Sequence, residues 1–144
     1  MAQTDWILRL IEQLGAALIV LRSMILGGKV GREEVQGRLQ KAVGSIGFDL
    51  DLAKAASPET VRMLVAPTGD VEPGRCWLVA EVLYLDGLQA QMEDRWEDAR
   101  SSFERALPLY GLLEPHGLLV AGLPEAEERM AEIEGRLAGL PGSG

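Results

Sequence analysis

Residues 80–113 read AEVLYLDGLQAQMEDRWEDARSSFERALPLYGLL, and their spacing decides the fold. Cys76, Ala80, Leu83, Gly87 and Ala90 recur at steps of three and four, with Trp77, Tyr84, Leu88 and Met92 on the adjoining stripe. That period predicts a helix over about residues 73–92. Glu93-Asp94-Arg95 makes a turn. Trp96, Ala99, Phe103, Ala106, Leu107 and Tyr110 then line a second helix over about 95–113, which Glu114-Pro115-His116-Gly117 breaks. Helices on so short a connection fold back as an antiparallel hairpin. Gly87 and Ala99 are small enough to let the two backbones approach closely, and the aromatic side chains fill the space around that contact.

Outward from this hairpin, the rest of the chain also reads as helix. Thr4 is a suitable N-cap, and Asp5 suits the positive end of a helix dipole. Ile7, Leu10, Ile11, Leu14, Leu18, Leu21 and Ile25 make one face of a helix over 5–26, and Ile19, Val20 and Met24 widen its apolar stripe until Gly27-Gly28 stop it. A second helix starts near Arg32, buries Val35, Leu39, Ala42, Val43 and Ile46, and ends at Gly47, giving a first hairpin over 5–47. Residues 48–71 form an insert of two short helices, the second opened by Ser57 as N-cap with Pro58 at the first helical position. Residues 118–123 are a short helix or turn. A last helix over 124–138 sets Ala126, Met130, Ile133 and Leu137 against an acidic face that includes Glu132, and 139–144 form a flexible tail. No stretch alternates with period two, so the expected fold is one all-α domain over 1–144.

The 80–113 unit resembles a tetratricopeptide repeat, a helix-turn-helix unit whose spacing matches Gly87, Ala90, Trp96, Ala99, Phe103 and Ala106. Asp94 stands where that family has a turn glycine, Gly111 where it has a proline, and Leu83 where it has an early tryptophan. A frame shifted back by 64 residues lays Val35 over Ala99, Leu39 over Phe103, Ala42 over Ala106 and Ser23 over Gly87, so residues 16–49 resemble a degenerate first copy. The Asp5-Trp6-Ile7-Leu8-Arg9-Leu10-Ile11 start, the GREE stretch and the FDLDL insert are also similar to small bacterial proteins with such hairpins. The resemblance implies two tetratricopeptide-like hairpins joined by a helical insert, with a C-terminal capping helix.

Composition narrows the function. Apolar residues at 47% can fill a core in 144 residues, which excludes wholesale disorder. The 14 Lys/Arg against 22 Asp/Glu leave a net charge of −8, which opposes nucleic-acid binding as the main role. The charge is uneven: residues 1–47 hold six basic and four acidic residues, and residues 48–144 hold eight and 18. Arg9, Glu12 and Arg22 interrupt the apolar N-terminal helix, so no membrane span is expected, and the protein reads as cytoplasmic. An interfacial membrane helix would carry a richer Lys/Arg face.

No catalytic, cofactor-binding or metal-ligating set emerges. A single histidine, His116, sits in a loop with no Ser or Cys at motif spacing, and the single cysteine, Cys76, reads as a small core residue. Glu93, Asp94, Glu97 and Asp98 complement the start of a helix. GGKVG lacks the lysine-serine/threonine end of a phosphate loop. Glu81 and Asp86, carboxylates in mid-helix, read as groove-rim or salt-bridged positions, and the chain reads as a non-enzyme.

What remains is surface. The first helices of tetratricopeptide repeats line a peptide-binding groove, and the resemblance carries that role to Glu81, Tyr84, Leu88, Gln91 and Met92 in the second copy and to Ala17, Val20 and Met24 in the first. So apolar a groove is covered either by a partner or by the first helix and the 48–66 segment folding over it. The expected function is a non-catalytic adaptor for a protein or peptide partner. The alternative is a structural subunit of a homodimer or larger homo-oligomer, driven by the N-terminal helix.

Overall fold

The computed structural model describes residues 2–114 and 123–142, and among these it contains helices and no strand: the chain is all-α. The helices are α1 (Ala2–Leu26), α2 (Arg32–Gly44), α3 (Leu50–Ala55), α4 (Pro58–Leu64), α5 (Pro73–Met92), α6 (Trp96–Leu113) and α7 (Ala126–Gly139). His116 and all but the last residue of the short element expected over 118–123 lie outside the described residues.

α5 is the centre. Every residue from Cys76 to Ala90 is buried, so this helix has no solvent face along most of its length. α6 folds back on it in the closest packing of the molecule, α1 and α2 lean on its other sides, and α7 packs on α6. The hairpin contact is steric. A β-carbon placed on Gly87 would sit 2.6 Å from Cδ1 and Cε1 of Phe103, so the Phe103 ring lies directly on the glycine backbone. Tyr84 continues this layer, its ring centroid 6.4 Å from that of Phe103. Gly15 plays the same part between α1 and α5: a β-carbon there would meet Leu123 at 2.8 Å and the Trp77 ring at 3.1 Å.

Local chemistry sets the ends of the helices. Ser57 accepts a hydrogen bond from the Thr60 amide and Asp49 from the Leu52 amide, capping α4 and α3. Gly28 leaves α1 with φ +66°, a left-handed conformation that closes the helix. Asp94 takes the same region at φ +59° in the α5–α6 turn. Aspartate is one of the few other residues that tolerate it.

Three features differ from the sequence reading. α1 and α2 do not nest as α5 and α6 do; both lean on α5 and leave a furrow between them, because their buried stripes are spent on α5 and the Gly37 and Gly44 surfaces meet no neighbouring element. The insert does not fold over α5's expected groove. α3 and α4 lie against α6, where Arg105 Nε donates to the Ala56 carbonyl at 2.7 Å. The C-terminal residues as far as 141 are attached: Leu140 is buried, and Arg100 donates to the Pro141 carbonyl at 3.1 Å.

Gly87→Ala is expected to lower unfolding free energy by about 1–2 kcal/mol in chemical denaturation, since overpacking against Phe103 exceeds the helix-propensity gain. Gly37→Ala, on an open face of α2, is expected to raise it by about 0.5–1 kcal/mol.

Candidate functional site

The groove expected over α5 is closed from within the chain. Glu81, Tyr84 and Leu88 each have 0% exposure, so these three expected partner-binding residues are core in the folded monomer. The physical cause is the arrangement of α1 and α7. Gly15 lies beside Trp77 and Arg22 beside Tyr84, so α1 runs parallel to α5. Arg129 meets Glu81 and Arg136 meets Gln91, so α7 runs parallel to α5 as well. Long side chains from these two flanking helices then meet across the middle one.

Glu81 is held from α7 and α6. Its Oε1 accepts from the Tyr110 hydroxyl and from Arg129 Nε at 3.0 Å, and its Oε2 accepts from Arg129 Nη2 at 2.9 Å. The Tyr84 hydroxyl donates to Glu132 Oε2 and accepts from Arg22 Nε at 2.6 Å. Arg22 Nη2 closes the span to Glu132 Oε1 at 3.1 Å, and Arg136 Nε donates to Glu132 Oε2 at 3.0 Å. Arg129 also lies over the Tyr84 ring, 4.6 Å from its centroid. Glu132 therefore belongs to this cluster and not to the acidic solvent face on which the sequence reading put it.

The electrostatics follow from this geometry. Burial, reinforced by the neighbouring Glu81 charge, pushes the Tyr110 phenol well above its ordinary value. Burial likewise pushes Tyr84 up to about 12. Burial opposes charge on Glu132, but hydrogen bonds from Tyr84 and Arg136 and the Arg22 charge outweigh it and hold the carboxyl below the usual range. On Arg129 burial favours neutrality, and the paired Glu81 overrides it. Both carboxylates are saturated by partners inside the chain, so the cluster's work is to tie α1, α5, α6 and α7 together. Asp86 is similarly committed: Gln36 donates to its Oδ1 at 2.6 Å, Lys54 approaches at 3.2 Å, and Ser102 donates to Oδ2.

The remaining expected residues have separate fates. Gln91 accepts from Arg136 at 3.0 Å. Met92 is exposed at the end of α5. Val20 is exposed on α1, and Met24 is half-buried, its sulfur facing Arg38 Nη1 at 3.8 Å. Of the acidic residues at the α5–α6 turn, Glu93 pairs with Arg95 and Arg32, and Asp98 with Arg95. Cys76 is buried and its thiol pushed up to about 12 by burial, with Sγ donating to the Leu109 carbonyl. Among the described residues no group of three or more His, Cys, Asp or Glu is placed to hold a metal, and no helix is long and apolar enough to cross a membrane.

The open apolar surface lies elsewhere, in the furrow between α1 and α2. It is a recess of about 340 Å³ lined by Leu14, Ala17, Leu18 and Leu21 of α1 and by Arg38, Lys41, Ala42 and Ser45 on the α2 side. A second recess of about 100 Å³, lined by Trp6, Leu10, Ile11, Ser45, Ile46, Glu72 and Arg75, continues it toward the start of α1. Ser45 borders both. Of these residues the sequence marks Ala17 for a binding face; the rest read as core stripe or as solvated helix. The signal for them was α1's apolar width, greater than one buried face requires.

No family model, no curated protein and no solved structure matches this chain.

Arg129→Ala is expected to cost about 3–5 kcal/mol in unfolding free energy, because it strands the buried Glu81 carboxylate. Glu132 should make folding pH-dependent. Its folded carboxyl titrates below the ordinary 4.5, so its contribution is complete above that value and is lost as pH falls below it. Thermal melts should therefore show an acid-side loss of stability that Glu132→Gln reduces. Phenolate absorbance from the chain's two tyrosines should stay absent at pH 10, the ordinary phenol value, and develop only on further alkalinisation or unfolding.

Proposed function

We propose that the chain is a non-catalytic, tetratricopeptide-like interaction module that adapts to a partner helix or peptide through the α1/α2 furrow, in place of a groove over α5. The observation that carries this reading is an open apolar recess beside a helix whose stripe is wider than its own core contacts demand. Supporting the tetratricopeptide-like layout, α1 and α5 run parallel with contacts 62 residues apart, close to the 64-residue frame that relates the two sequence copies. A furrow between two helices suits helix-in-groove recognition, in which apolar anchors at helical spacing supply the affinity. Homo-oligomerisation is the second reading, favoured by Trp6, Leu8 and Val20, which α1 leaves exposed.

Ala17 is exposed on the furrow wall, so Ala17→Arg should block the recess without disturbing the core. Affinity purification from the native host is expected to recover a partner with the wild-type chain and lose it with Ala17→Arg, at unchanged helicity by circular dichroism. Retention of the same partner by the variant overturns the furrow as the docking site. A stable oligomer in light scattering, persisting on dilution and dissolved by Ala17→Arg, moves the assignment to the homo-oligomer.

A further inference from the structure

Resting on the furrow as the docking site, we propose that its occupant is an acidic amphipathic helix of a partner protein. The argument is charge placed against a background of opposite sign. The whole chain carries a net charge of −8, yet the α2 wall of the furrow presents Arg38 and Lys41, and its continuation presents Arg75. Among the described residues lining these two recesses Glu72 is the one carboxylate, and Arg75 holds it at 3.4 Å. Arg38 is shared with Glu34 on the outer side of α2, whereas Lys41 has no ion-pair partner among the described residues. An acidic ligand is thus repelled by most of the molecule and attracted at this strip, which sets both its site and its orientation.

The dimensions favour a helix. From Trp6 to Leu21 the recesses follow one side of α1, a rise of about 22 Å or four helical turns. Ala17 and Ala42 stand on opposite walls of the wider recess, and small side chains there let a third helix backbone settle between α1 and α2. A partner helix with apolar residues at i, i+3, i+4 and i+7 and Glu or Asp on the flank nearest α2 satisfies both walls. A concave strip is a poorer match for a lipid surface, which is flat on this scale.

The test uses the full chain and two designed peptides of about four turns, identical in their apolar stripe, one flanked by Glu and the other by Lys. Fluorescence anisotropy is expected to show the Glu peptide binding about tenfold more tightly than the Lys peptide at low salt, with the gap closing as salt is raised. Arg38→Glu/Lys41→Glu, at two exposed positions, should reverse the preference, and Ala17→Arg should abolish binding of both. Equal affinity for the two peptides, still sensitive to Ala17→Arg, overturns the acidic partner while leaving the docking site standing. Binding of neither peptide, or binding indifferent to Ala17→Arg, overturns both. Association with phosphatidylserine vesicles in place of the Glu peptide overturns the proposal in favour of a membrane surface.

Discussion

A helix without a solvent face must find a partner for every polar group it carries, because an unpaired buried carboxylate or amide costs more than a paired one returns. α5 is such a helix over residues 76–90, and this constraint organises its surroundings. Glu81 calls for Arg129 and Tyr110; Asp86 calls for Gln36, Lys54 and Ser102; Gln89 reaches the Val30 carbonyl and Glu93. These partners come from α2, α3, α6 and α7, from the turn before α2 and from the end of α5 itself, so polar satisfaction and helix placement are one requirement. The indole nitrogen of Trp77 is the exception, buried without a partner among the described residues.

The same constraint explains why the accessible apolar surface lies outside and not over α5. α1 and α7 flank the central helix in parallel, close enough for Arg22 and Glu132 to join above Tyr84. A concave face that could have taken a peptide is filled by the chain's own charged side chains. α2 is left to pack on α5 and α3, without a glycine-aromatic contact of the Gly87–Phe103 kind to draw it onto α1. The furrow is what remains between two helices that share a floor and do not share a seam.

Much of this was legible in the residues. The α5–α6 hairpin was readable because a helical period, a small residue at 87 and an aromatic at 103 all specify one contact. Ser57-Pro58 was readable because capping is local chemistry. The α7 cluster was not. Glu132 and Arg136 stand four residues apart, a spacing common on solvated helices, and their partners on α1 and α5 lie 45–110 residues away. The available hint was Arg129, which falls on the apolar stripe with Ala126 and Ile133, where an arginine implies a buried acid to meet it. The furrow was hidden for another reason. Periodicity tells which residues on α1 are apolar and not which neighbour fails to cover them.

The three tryptophans occupy three distinct settings: Trp77 sealed in the core, Trp96 half-buried at the start of α6, and Trp6 63% exposed at the mouth of the narrower recess. Indole emission depends on contact with water, so the chain carries an optical probe at the rim of its own cleft. Trp6 supplies the component most open to aqueous quenchers. Whatever settles there dims or shifts that component while Trp77 stays constant as an internal reference.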